Sequence, residues 1–220
     1  NFALIIDGIL NVNTYAFNRE YADLEQIEIL KGPQGALYGR SAAAGAVIMS
    51  TKRPSQEVEG EVNISFAEDS TYTGLATVAG PLGERVAGRI TADYRTTDGF
   101  YSNSFLNDSV VDAAENYSVQ GRLVFDPTDS LSIDTKLRVG RSEGSAIAFN
   151  AGFALPDFVA FGTPGSESFY QNVNTHEFVF AGNVKPVNEQ DVLEFSIKAD
   201  WDMEWATLST WAFYSDTEDT

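Results

Sequence analysis

DLEQIEILKGPQGALYGRSAAAGAVIMSTKRP occupies Asp23–Pro54, and its reading decides the architecture expected for all 220 residues. Gln26–Lys31 alternates, with Ile27 and Ile29 on one face and Glu28 on the other, the period of a strand. Ala46–Lys52 is a second strand candidate, stopped by Pro54. Between them Pro33 fits the first position of a short helix and Gly39 its C-terminal cap. Ser41–Gly45 is a run of small residues suited to close packing. Upstream, Phe2–Asp7 is apolar and strand-like and ends at the turn pair Asp7-Gly8.

A phosphate-binding loop needs four residues between its glycines and then Lys-Ser or Lys-Thr. Here three residues separate Gly35 from Gly39, and Arg40-Ser41 follows, so nucleotide binding is not expected. The chain has no cysteine, which excludes disulfides, thiolate metal sites and cysteine nucleophiles. Hydrophobic residues make up 43% and aromatics 12%, too many for a disordered acidic tail. A net charge of −18 argues against nucleic-acid binding, which needs a basic footprint.

The charge is unevenly placed. Residues 1–54 hold five acids and five bases, whereas residues 55–220 hold 27 acids and nine bases. The chain therefore divides near Pro54. Beyond it lie segments of about ten residues with alternating polarity, the signature of transmembrane barrel strands. Val62, Ile64 and Phe66 alternate with Glu61, Asn63 and Ser65, and Ile90, Ala92 and Tyr94 with Arg89, Thr91 and Asp93. Tyr117, Val119, Leu123 and Phe125 oppose Ser118, Gln120 and Arg122. Leu131, Ile133, Leu137 and Val139 oppose Asp134, Lys136 and Arg138, and Leu193–Trp201 repeats the pattern around Glu194 and Lys198. Tyr72–Gly80 and Ala206–Asp216 are strand-like without an assignable face. A soluble β-sandwich also alternates. The mixed-sign polar face, the nearly uncharged opposite face and the aromatics at strand ends favour a wet lumen and a lipid-facing wall.

Pro81–Arg85, Asp126–Ser130 and Asp202–Trp205 read as tight turns, and Thr96–Asn116 and Ser142–Asp191 as long connections. Outer-membrane barrels have short periplasmic turns and long extracellular loops. This parity holds only if His176–Lys185 lies in a loop and does not span. Chain entry at Phe2 without a leader segment suggests an internal piece of a longer protein.

Three linked blocks resemble the TonB-dependent outer-membrane receptor family. Ile6-Asp7-Gly8 is similar to its "IDG" strand end, Leu24–Arg40 to its "vExIEVLrGPqgxLYGr" block, and Gly45–Pro54 to its "GGaInivTK.p" block. Ala44 replaces the first of two glycines. Lys31 stands where arginine is usual and loses bidentate pairing, which weakens the plug-to-barrel ion pairing implied at that position. The resemblance implies a mainly β chain: residues 1–54 as the C-terminal part of a plug, and residues 55–220 as about seven antiparallel strands of a 22-stranded transmembrane β-barrel. It implies localisation in the bacterial cell outer membrane, contact with lipid and lipopolysaccharide, and TonB binding through an N-terminal segment outside this chain. The implied activity is energised uptake of a scarce substrate, foremost a ferric siderophore, with no cofactor and no enzymatic reaction. The alternatives are a secreted or surface β-domain with a binding role and a passive porin.

Asn11–Tyr21 is similar to the family's loop that rises toward the outer vestibule, so Tyr15, Phe17, Asn18 and Arg19 are the candidates for substrate contact. Rings beside an arginine suit a planar or anionic ligand. Packing of Tyr15 and Phe17 against the barrel wall is the competing reading. Phe100, Tyr101 and the aromatic-rich stretch Phe149–Tyr170 are weaker candidates. His176, the single histidine, reads as a loop residue, and no catalytic constellation is visible. The acidic groups Glu68-Asp69, Asp200/Asp202/Glu204 and Asp216/Glu218/Asp219 lack the spacing of a calcium loop, and no metal site is expected.

Overall fold

The computed structural model describes residues 2–11, 21–35, 42–100, 102–103, 112–144, 179–180 and 187–219. Among the described residues thirteen strands run in order: β1 Phe2–Ile6, β2 Ile9–Asn11, β3 Leu24–Lys31, β4 Gly45–Thr51, β5 Glu59–Ala67, β6 Thr71–Gly83 and β7 Val86–Thr97. They continue as β8 Ser102–Asn103, β9 Ala114–Thr128, β10 Leu131–Gly144, β11 Val179–Phe180, β12 Asn188–Met203 and β13 Ala206–Asp219. Among the described residues no helix is long and apolar enough to cross a membrane, which leaves crossing by strands untouched.

The first sheet has the order β2-β1-β4-β3. Asp7 (φ 51°) and Gly8 (φ 83°) both take left-handed backbone, so the β1–β2 hairpin closes in two residues. Asp-Gly is the pair that tolerates this geometry. β1 and β4 pair in parallel from Phe2↔Gly45 to Ile6↔Met49, and β3 adds antiparallel to β4. Ala3, Ile5, Ala42 and Ala46 form the buried core, with Leu30 and Ile48 against it. Gly45 is required by close approach: a Cβ there would lie 2.4 Å from the Leu30 carbonyl oxygen and 3.0 Å from the Phe2 ring. Ile27 and Ile29 lie on the exposed face of β3. Most of the short helix expected over residues 33–39 lies outside the described residues.

The second sheet is antiparallel throughout, in the order β13-β12-β10-β9-β7-β6-β5. Every strand neighbours the next long strand in sequence, as an up-and-down wall requires. The expected tight turns are tighter still, reduced to Glu84–Arg85, Asp129–Ser130 and Glu204–Trp205. Pro81 and Leu82 belong to β6 rather than to the turn, with a register shift between Pro81 and Gly83 where proline has no N–H to give. The Glu68–Thr71 turn is short because Asp69 and Ser70 both take positive φ and Thr71 N–H donates to the Glu68 carbonyl at 3.2 Å. β11 pairs in parallel with β8 outside this sheet, and β10 pairs directly with β12. Hence Val179–Phe180 is not a strand of the wall, as the turn parity requires.

Register sorts the side chains into two faces. Val78, Ile90, Gly121, Leu137, Phe195 and Tyr214 form one row of the apolar face. On the opposite face Glu59, Ala79, Arg89, Arg122, Lys136, Ser196 and Phe213 form a row across all seven strands. The two strands without an assignable face in the sequence resolve by the same register. Tyr72, Val78 and Leu82 of β6, and Leu208, Ala212 and Tyr214 of β13, lie on the apolar side. Trp211 and Phe213 instead share the polar side with Lys198 and Ser196.

Candidate functional site

The small sheet meets the wall through carboxylates on its turns and cations on the wall's polar face. Asp23, just before β3, lies almost fully buried and accepts two hydrogen bonds from the Arg89 guanidinium, both at 2.7 Å. This fork-on-carboxylate arrangement is the strong form of an ion pair. Thr91, also fully buried, donates to Asp23 at 3.2 Å and shares a hydrogen bond with Thr77. Glu59 of β5 takes the remaining Arg89 terminal nitrogen at 2.8 Å.

One hairpin away, the Asp7 carboxylate accepts from the Thr51 backbone N–H at 2.8 Å and from its hydroxyl at 3.0 Å. It forms an ion pair with Lys136 and lies 4.0 Å from Arg122. Arg122 forks onto Asp134 through Nε and Nη2 at 3.1 and 2.6 Å, and its Nη1 donates to the Thr51 carbonyl at 2.7 Å and the Lys52 carbonyl at 3.1 Å. The Nη1 donors thus fasten the end of β4, where the chain leaves the small sheet, to the wall. Tyr21 presents its ring to Arg138, whose guanidinium carbon is 4.7 Å from the centroid. Arg138 also lies 4.0 Å from Glu194.

These groups enclose a cavity of about 80 Å³ between sheet and wall, lined among others by Asn11, Tyr21, Gln120, Arg138 and Glu194. Its lining sets charges of both signs beside the apolar Ile6, Ile9 and Phe213, an arrangement suited to seating one sheet on the other. The cations come from strand alternation: Arg89, Arg122, Lys136 and Arg138 all have the parity that points away from the apolar face.

Sequence reasoning placed those cations on the polar face and quoted Asp7 within the "IDG" block, but did not pair them. The usable signal was a neutral segment carrying lone acids at its turns beside a wall with in-register cations. Lys31, where the resemblance left plug-to-barrel ion pairing weakened, is exposed, and the ion pairs between sheet and wall run through Asp7 and Asp23. Tyr15, Phe17, Asn18 and Arg19 lie outside the described residues, as do Tyr101, Phe149–Tyr170 and His176. Of the acidic groups, Asp200 accepts from Ser209 at 2.6 Å and pairs with Lys198 at 2.9 Å, and Asp202 accepts from Thr207 at 2.6 Å. Among the described residues no three metal-ligating side chains converge.

A small mixed sheet seated by ion pairs on the polar face of an antiparallel, outwardly apolar wall is the architecture of a plugged outer-membrane barrel. Residues 1–46 match the TonB-dependent receptor plug domain. The ferrioxamine receptor of Yersinia enterocolitica is 27% identical over 154 residues, which is 70% of this chain and 20% of that protein. The ferrioxamine B receptor of Salmonella typhimurium strain LT2 is 34% identical over 114 residues, covering 50% of this chain and 15% of its own length. The crystal structure of the ferric yersiniabactin uptake receptor of Yersinia pestis superposes with a TM-score of 0.80 at 15% identity, over 99% of this chain and 32% of that one. The chain therefore carries part of a TonB-dependent receptor plug domain followed by strands with the fold of such outer-membrane receptors, and it spans about a fifth of the length of the curated relatives it matches.

Proposed function

We propose that the protein containing this chain is an energised outer-membrane receptor that takes up a ferric siderophore, with residues 1–54 ending its plug and residues 55–220 beginning its barrel. The observation that carries the reading is the seating of the small sheet on the wall's polar rows through Asp7 and Asp23. A passive porin has no use for such a stopper, and a water-soluble binding domain has none for an outer face whose middle rows are apolar. Ferrioxamine receptors among the relatives favour a siderophore over other scarce substrates. In this reading the tight turns face the periplasm and the long connections face outward. TonB acts on a segment outside this chain, and lipid and lipopolysaccharide surround the apolar face.

The test is accumulation of radio-iron, supplied as ferrioxamine B, by cells carrying the full gene. Uptake that requires both the receptor and TonB supports the proposal. Entry at the same rate without TonB would make the protein a pore. Within this function Tyr15, Phe17, Asn18 and Arg19 are the proposed substrate contacts. Arg19→Ala is expected to raise the half-saturating concentration about tenfold, the loss of one charge-assisted hydrogen bond, while leaving assembly intact. An unchanged saturation curve would remove Arg19 from the site.

A further inference from the structure

The wall cations are not equivalent. Arg89 has Glu59 at 2.8 Å, Arg122 has Asp134 at 2.6 Å and Arg138 has Glu194 at 4.0 Å, so each arginine keeps a carboxylate belonging to the wall itself. Lys136 differs: among the described residues its ion pair is with Asp7, and Asp7 belongs to the plug. Arg122 and Lys136 sit opposite one another on paired strands, with side chains 10% and 21% exposed. If the Asp7 turn withdraws, Asp134 is the carboxylate left to these two cations among the described residues, leaving one positive charge uncompensated in a sheltered place. Leaving a buried charge without its partner is strongly unfavourable. An incoming anion would relieve that cost. Gln120 and Ser196, which line the same cavity, offer further hydrogen bonds, and Phe213 continues the row as an apolar flank.

We propose that Arg122 and Lys136 form an oxyanion site of the barrel wall, filled by the Asp7 carboxylate while the plug is seated. Once the turn withdraws, the site takes a carboxylate or similar anionic oxygen group of the passing iron complex. The second step rests on the uptake reading, because only transport requires the turn to leave.

Sodium acetate tests the site on the full receptor purified in detergent, with sodium chloride at equal ionic strength as reference. Asp7→Ala empties the site and is expected to lower the thermal midpoint of the plug. Acetate should restore at least half of that loss, leave the wild type unchanged, and do nothing for Asp7→Ala combined with Lys136→Gln. Acetate no better than chloride on Asp7→Ala, or equally effective without Lys136, would overturn the proposal. Should Asp7→Ala fail to fold, Asp7→Gly empties the site while suiting the left-handed backbone of the turn, and the same comparison applies. A wild-type receptor that takes up no ferric siderophore would remove the transport step while leaving the acetate result standing.

Discussion

Replacing Asp23 by alanine is expected to loosen the plug more than any other single change in the docking site. Asp23 and Arg89 are 6% and 4% exposed at their side chains and share two hydrogen bonds of 2.7 Å. Removing one member of such a buried pair costs about 3–5 kcal/mol, because the remaining charge stays where water cannot reach it. Glu59 softens the loss by holding one Arg89 nitrogen, but its own side chain is half exposed and its attraction is screened. The measurement is hydrogen exchange of the β3 and β4 amides in the full receptor, whose opening free energy should fall by about that amount. The double variant Asp23→Leu with Arg89→Met should regain most of the stability, since both desolvated charges are gone. Equal protection in wild type and Asp23→Ala would mean that the pair does not hold the sheet to the wall.

Leu137→Arg is expected to damage the wall itself. Leu137 lies on the apolar face, halfway along β10 between Ile133, whose row holds Phe125, and Arg141, whose row holds Tyr94 and Tyr117. Those aromatics mark the two membrane boundaries, so Leu137 lies near mid-depth. An arginine facing lipid at that level costs about 2–4 kcal/mol. Urea unfolding of the receptor in lipid bilayers should show that loss. Ser209→Arg, on the polar face beside Asp200, should cost less than half as much because the new charge meets a carboxylate and water. Equal costs would place both faces in the same medium.

Most of the wall was legible in the sequence because its alternation carries the physics directly: one face must suit lipid and the other water. Legibility failed where that contrast is weak. β13 has Leu208 and Tyr214 on one parity and Trp211 and Phe213 on the other, so composition alone cannot choose, and only its register against β12 does. β6 was obscured because its apolar parity is interrupted by Gly74, Ala76 and Gly80 while Leu75 and Ala79 lie among the threonines of the other. β2 is three residues long and is made by the Asp7-Gly8 turn folding back on β1, a pairing that no short window of sequence displays. The docking contacts were hidden for a different reason. Asp23 and Arg89 are 66 residues apart, and Thr51 and Arg122 are 71 apart. Each residue was visible as a charge of the right sign, but partnership follows from the register of seven strands and the seating of a separate sheet.

The wall has lipid on one face and the plug on the other. Spin labels placed singly at Ile197 and Lys198 of the full receptor in bilayers test it most directly. The label at 197 is expected to be relaxed by oxygen and shielded from a water-soluble nickel reagent, and the label at 198 to show the reverse. Labels that both respond to the nickel reagent, or that respond alike, would contradict it.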